Sequence, residues 1–258
     1  DFDTYSSEMQ RLYKSKSGER GIFSRIAAQN IAARNGRRDA DYKFGTNPCS
    51  EIILRPYQFC NLSEAIVRAN DTKETLLEKV VLATTLGTLQ ASMTDFRYLR
   101  NIWKRNTEDE ALLGVSLTGI MDCKLTNGST GYKELGSLLA SLKEKALKTN
   151  IKWAKKLKIG ASTSITCVKP SGTVSQLTDS ASGIHPRFSN YYIRTIRADK
   201  KDPLATTMLE AGFPHEEDVT NNSNWVFAFP QKAPKNAITV DSMEALEQLE
   251  LWKVYQDH

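Results

Sequence analysis

The chain has 258 residues, 40% of them hydrophobic, enough to bury a sizeable core in one large domain. A charged fraction of 25% argues against global disorder. The net charge of +5 suits an anionic ligand as well as it suits nucleic acid and does not choose between them. No apolar run is long enough to cross a membrane. The opening Asp1-Phe2-Asp3 carries no leader pattern and no starting Met. The other end, Met243 to His258, stops inside an amphipathic helical pattern, so the sequence reads as a piece cut at both ends. Four cysteines, Cys49, Cys60, Cys123 and Cys167, form no C-x-x-C pair, which argues against zinc ribbons and thioredoxin motifs. Sparse cysteines without a leader point to a reducing cytoplasm.

In chain order, residues 6–16 and 22–35 read as helices. The basic stretch Arg34, Arg37, Arg38 at the end of the second reads as a solvated helix end rather than a nucleic-acid site. A loop covers 39–48, and the β-branched run 51–54 suggests a strand. Over 72–93, apolar residues at Leu76, Leu77, Val80, Val81, Ala83, Leu86 and Leu89 repeat at helical spacing, with Asp71 or Thr72 as cap. A short helix is expected over 96–104, a strand over 112–120 and a long basic helix over 132–157. Residues 162–168, with β-branched Thr163, Ile165 and Val168, predict another strand. Strands are further expected over 191–197 and 225–229, and helices over 203–211 and 242–255. Alternating strands and helices predict an α/β fold, and short apolar strands between polar loops suit a barrel covered by helices.

The segment Phe44-Gly45-Thr46-Asn47-Pro48-Cys49-Ser50-Glu51-Ile52 carries the most chemistry. If it is extended, Asn47, Cys49 and Glu51 share one face. An amide pairs with hydroxyls in both directions. A carboxylate accepts a hydroxyl proton as general base. A thiol acts as nucleophile or, once oxidised to a thiyl radical, as hydrogen-atom abstractor. The plainer reading is an Asn-Pro turn beside a small hydrophobe. A second segment, Lys169-Pro170-Ser171-Gly172-Thr173-Val174-Ser175, follows the strand over 162–168. Gly172 permits close approach of a ligand, Ser171 and Thr173 offer hydroxyls, and free amides at a helix start attract anions. Lys169 adds charge or lies outside. A capped turn without a ligand fits equally well.

Asn47-Pro48-Cys49-Ser50-Glu51-Ile52 resembles the N-P-C-x-E finger-loop motif of ribonucleotide reductases. Cys60, eleven positions after Cys49 within Phe59-Cys60-Asn61-Leu62, is similar to the second cysteine of the class II, adenosylcobalamin-dependent enzymes. The turn at 169–175 resembles their phosphate-binding segment. Segments 183–194 and 198–204 look like the monomeric, triphosphate-reducing subgroup, and 17–23 and 114–119 are also similar to family segments. Ser50 departs from the Gly or Ala common in the motif, and its small size predicts little effect. The resemblance implies that 1–258 is part of one ten-stranded α/β barrel domain with a central finger loop. It implies that Cys49 carries the radical and abstracts the ribose 3′ hydrogen, that Glu51 takes the 3′-hydroxyl proton, and that Asn47 hydrogen-bonds the substrate. Cys60 would be one of two reducing thiols, its partner lying upstream of this chain. Pro170, Ser171, Gly172 and Thr173 would bind phosphate. The implied cofactor is adenosylcobalamin, with its site incomplete here. The implied partners are a ribonucleoside triphosphate and a thioredoxin-like reductant, with neither membrane nor nucleic acid. The alternatives are a diphosphate reductase of the same family and a non-catalytic nucleotide-binding domain.

Cys123 and Cys167 stand outside these motifs and read as core residues. His185, His215 and His258 lack metal-ligand spacing. Tyr191 and Tyr192 read as strand aromatics packed in the core.

Overall fold

The structure, a computed structural model, describes residues 1–17 and 21–258. Part of the resemblance segment at 17–23 therefore lies outside the described residues. The central unit is parallel: strand β3 (Asn61–Ile66) pairs with β4 (Leu113–Thr118) in the register Asn61↔Leu113 through Ile66↔Thr118. Two helices, α3 (Lys73–Ala91) and α4 (Asn101–Glu110), lie between them in the chain. Residues 163–167 run along the other side of β4. The amides of Leu113 and Val115 donate to Ser164 and Ile165 carbonyls at 3.0 and 2.8 Å, and that of Cys167 donates back to Val115 at 3.1 Å. The strand predicted over 162–168 does not form as such: the segment makes one isolated parallel bridge, Val115↔Thr166, beside these hydrogen bonds.

Period-two alternation gives this sheet two unlike faces. Ala65, Val67, Leu113, Val115 and Ile165 are buried against Leu76, Val80 and Ala83 of α3 and against Leu138, Leu142 and Ala146 of α5 (Tyr132–Leu157). Each fully buried Leu or Val there contributes about 1.5–3 kcal/mol relative to exposure. The intervening positions, Leu62, Glu64, Gly114 and Ser116, belong to the opposite, more polar face. The predicted long helix at 132–157 is α5. In α3, Thr72 and Thr75 form a reciprocal capping box. Its buried stripe is Leu76, Val80, Ala83, Thr84, Gly87, Thr88 and Ala91, while Leu86 and Leu89 face outward at 63% and 43% exposure. The apolar residues are too widely spread to mark the buried side. Thr84 and Thr88 hide there by donating to carbonyls one turn back, both at 2.7 Å.

The predicted helix at 96–104 lies later, as α4. Phe96 and Leu99 sit in turns instead, their amides donating to Thr94 and Phe96 carbonyls. The first two helices are α1 (Phe2–Ser15) and α2 (Arg25–Ala33). Between α2 and β3 stand the short strands β1 (Gly45–Thr46) and β2 (Ile53–Leu54). After α5 comes the five-residue helix α6 (Thr173–Leu177). An antiparallel sheet follows, in the order β5 (Tyr191–Asp199), β7 (Asn224–Lys232), β6 (His215–Glu217), with α7 (Pro203–Glu210) between β5 and β6 in sequence. Tyr191 is 69% exposed on this sheet, with the Lys232 ammonium 5.6 Å from its ring centroid, so it does not pack in a core as predicted. The last helix, α8 (Ala245–Asp257), buries Leu251 among Ile120, Met121, Leu135 and Leu139. No helix among the described residues is long and apolar enough to cross a membrane.

Candidate active site

The cysteine loop hangs on the β1–β2 ladder, with Gly45 opposite Leu54 and Thr46 opposite Ile53. Its tip is a tight turn rather than an extended run. The Ser50 amide donates to the Asn47 carbonyl at 3.0 Å, and Asn47 Oδ1 accepts from the Ile52 amide at 3.1 Å. Ser50 has φ 63°, in the left-handed region, where a glycine carries no Cβ penalty. Asn47, Cys49 and Glu51 therefore do not lie on one extended face, and the Asn47 side-chain oxygen is spent on closing the loop, an Asx-type use of asparagine. Cys49 and Glu51 still come together, because both line one cavity of about 640 Å³. Cys49 is exposed at the tip. Glu51 is half-buried, and its Oε2 is buried without a protein partner. Ile52 is buried at the loop's foot, where Gly114 makes room for it. A Cβ on Gly114 would stand 2.4 Å from Leu62, 2.9 Å from Ile52 and 3.2 Å from the Cys167 sulfur.

Cys167 is not a packed core residue, as predicted, but part of the cavity wall. Burial pushes its thiol well up, and the nearby Glu51 and Cys60 push the same way. Cys123 does sit in the core, 1% exposed. Cys60 borders a neighbouring groove with Phe59, Asn61 and Phe96 rather than the Cys49 cavity. Its thiol is also raised, first by burial and then by the Glu51 charge. Alkylation of Cys60 by iodoacetamide in the reduced full chain should therefore need a higher pH than a free thiol, because the thiolate is the nucleophile. Glu51→Gln should move that pH profile downward. An unchanged profile would show that Glu51 does not act on Cys60.

On the sheet's polar face, Glu64 is ion-paired with the Lys169 ammonium, so Lys169 does not lie outside. The Lys169 amide donates to Ser116 Oγ at 2.9 Å. Glu64 Oε2, like Glu51 Oε2, is buried and unpartnered. After Lys169 the chain turns through Pro170 into α6. Ser171 is 1% exposed, and its hydroxyl accepts from the Ser175 amide at 3.1 Å, so it caps its own turn. Gly172 and Thr173 are exposed. Gly183, with φ 53°, lies so close beneath the turn that a Cβ would come within 2.4 Å of the Lys169 carbonyl. The Cys49 cavity extends along 163–168 and stops short of Pro170, Ser171, Gly172 and Thr173.

Three buried arginines, Arg38, Arg55 and Arg187, were not legible as such, and Arg55 lies 3.3 Å from Asp109 and 3.7 Å from Glu110. Arg38, predicted in a solvated helix end, is 8% exposed and clasps Glu110 through Nε and NH2 at 2.9 and 2.8 Å. Arg187 clasps Asp122 through Nε and NH2, both at 2.9 Å, and reaches Asp179 at 3.0 Å. Burial works against the Arg187 charge, but Asp122, Asp179 and Tyr192 together outweigh it and raise the pKa. His185 hydrogen-bonds the Ser182 carbonyl, and among the described residues no His, Cys, Asp and Glu group could hold a metal ion.

In sequence and fold the chain is similar to catalytic subunits of ribonucleotide reductases. The chain is 32% identical over 234 residues to a probable adenosylcobalamin-dependent ribonucleoside-triphosphate reductase of Dictyostelium discoideum, covering 85% of this chain and 29% of that protein. It is 28% identical to the adenosylcobalamin-dependent ribonucleoside-triphosphate reductase of Lactobacillus leichmannii, covering 84% of this chain and 33% of that one. A crystal structure of a B12-dependent, class II ribonucleotide reductase matches with a TM-score of 0.68 at 26% identity, over 82% of this chain and 33% of the other. The class Id alpha subunit from Actinobacillus ureae, at 18% identity and a TM-score of 0.51, covers 77% of this chain and 41% of its own and shares the fold. No protein-family model matches. The chain is thus a relative of the class II, adenosylcobalamin-dependent ribonucleotide reductases. It spans about a third of the length of these relatives.

Proposed function

We propose that this segment supplies the radical cysteine, the base and the phosphate turn of an adenosylcobalamin-dependent ribonucleoside-triphosphate reductase. The reading places residues 1–258 within one ten-stranded α/β barrel domain, with the loop at 45–54 as its finger loop. The observation that carries it is the opening of Cys49 and Glu51 onto one cavity, with a Glu51 oxygen buried and unpartnered. A buried carboxylate oxygen without a donor is costly unless a ligand completes it, and a ribose hydroxyl is such a ligand. Adenosylcobalamin, when bound, supplies the radical. The Cys49 thiol, exposed at the loop tip, fits the position that receives it.

In the proposed reaction the Cys49 sulfur radical takes the hydrogen from ribose C3′, forming S–H and leaving the radical on carbon. Glu51 accepts the 3′-hydroxyl proton, and the 2′-hydroxyl leaves as water. The Asn47 amide nitrogen, whose oxygen is already engaged, donates to the sugar. Cys60 and a thiol outside this chain give one hydrogen to the leaving water and one to C2′ and become a disulfide. Glu51 returns its proton, and Cys49 returns the hydrogen to C3′ and regains its radical. One ribonucleotide and two thiols thus give one deoxyribonucleotide, one disulfide and one water. A thioredoxin-like protein restores the dithiol. The exposed amides of Gly172 and Thr173 take the phosphates. Ser171 shapes that turn through its cap, and Pro170 fixes its entry. This chemistry belongs to the cytoplasm.

The test is turnover of the full protein with a triphosphate and a diphosphate side by side, with and without adenosylcobalamin. Deoxynucleotide should form only with the cofactor and with higher kcat/KM for the triphosphate. Formation without cofactor would overturn the class, and a preference for diphosphate would overturn the substrate.

A further inference from the structure

We propose that the buried Arg38–Glu110 pair is a positioning device that holds the Cys49 loop in fixed relation to the segment leading to the phosphate turn. The inference rests on the proposed function for its catalytic meaning. Both side chains are 5% exposed. Arg38 uses its planar fork in three directions. Nε and NH2 grip the Glu110 carboxylate, NH1 donates to the Ile53 carbonyl at 2.9 Å, and the guanidinium lies 4.7 Å from the Phe44 ring centroid. Ile53 and Phe44 are the two feet of the loop, one on each side of its tip.

Glu110 is the fixed end. It closes α4, and its carboxylate also accepts from Gln58 Nε2 at 2.5 Å. Gln58 Oε1 in turn accepts from the Arg55 amide at 2.8 Å, tying in the chain that continues to Cys60. The backbone carbonyl of Glu110 accepts from the Thr163 amide at 3.0 Å, where the segment toward Cys167 and Lys169 begins. One residue thus joins, through side chain and backbone, the elements carrying Cys49, Cys60 and the phosphate turn. An apolar pair could fill the space but could not bond in these directions. A buried ion pair is weak evidence for stability, and its directional bonds are what distinguish this one from an apolar pair.

The test compares the full chain with Arg38→Lys and Glu110→Gln. Lysine keeps the charge but cannot serve Glu110 and Ile53 together. Amide hydrogen exchange over 44–55 should rise at least tenfold in each variant, while exchange in α3 stays at the wild-type rate. Under turnover, kcat should fall about 100-fold, the scale of an ångström-sized misplacement, with KM within threefold. Unchanged loop exchange, or a uniform rise that includes α3, would overturn the proposal, as would a KM effect without a kcat effect. If the wild-type protein makes no deoxynucleotide, the proposed function fails, and the exchange measurements still decide the loop clamp.

Discussion

Cys49→Ser should bind nucleotide with near wild-type affinity and form no detectable deoxynucleotide. The substitution changes one atom at an exposed tip, so no buried packing is lost. The loop's hydrogen bonds, from Ser50 to the Asn47 carbonyl and from Ile52 to Asn47 Oδ1, do not involve the side chain at 49. Gly172 and Thr173 lie outside the cavity lined by Cys49, so phosphate binding should be insulated from the change. What is lost is the weak S–H bond that a radical can make and remake. Equilibrium binding and product formation on the same preparation check this. Retained turnover would remove Cys49 from the chemistry, and lost binding would show that the sulfur shapes the nucleotide site.

Asp122→Ala should destabilise the protein by about 3–5 kcal/mol, because it leaves a buried guanidinium without its main partner. Both Asp122 oxygens face Arg187, and Oδ2 also accepts from the Ala181 amide at 2.8 Å. The Arg187 backbone is bonded on both sides, its amide to the Ile238 carbonyl at 2.9 Å and its carbonyl to the Val240 amide at 2.8 Å. The pair therefore fastens the segment after the turn at 169–173 to the 238–240 stretch. Asp179 gives Arg187 a second carboxylate, but an exposed one. Urea unfolding of the full chain should show a lower midpoint with an unchanged slope. Arg187→Met together with Asp122→Ala should cost less than the sum of the single changes. A loss under 1 kcal/mol for Asp122→Ala would mean that Asp179 or water compensates.

The residue types of the loop, Asn47, Cys49 and Glu51 at alternate positions, were legible, and two of them, Cys49 and Glu51, line one cavity. The loop's geometry was not. Alternation assumes an extended chain, whereas the Asn47 side chain offers the backbone a closer partner and turns it. That 163–167 would lie beside β4 could be read from the β-branched residues, but the segment pairs only through one isolated bridge. β3 escaped notice because Ser63 and Glu64 break its apolar pattern. Glu64 is tolerated because its face of the sheet borders the candidate site, whereas Ser63, on the core face, sits beside Gly87 of α3. Arg38 and Arg187 were invisible for a different reason. Their partners stand 72 and 65 positions away, and nothing local marks an arginine that will be buried. Cys167 resembles a core cysteine in sequence, and only the placement of Gly114 and Ile52 around it reveals the cavity wall.

The most direct measurement is a crystal structure of the full protein with a ribonucleoside triphosphate bound. The Cys49 sulfur should lie within roughly 3.5 Å of the ribose C3′ region, the reach of a near-attack geometry. A Glu51 oxygen should accept from the 3′-hydroxyl, and the phosphates should rest on the amides of Gly172 and Thr173. A sugar bound away from Cys49 and Glu51, or phosphates held elsewhere than the turn after Lys169, would contradict it.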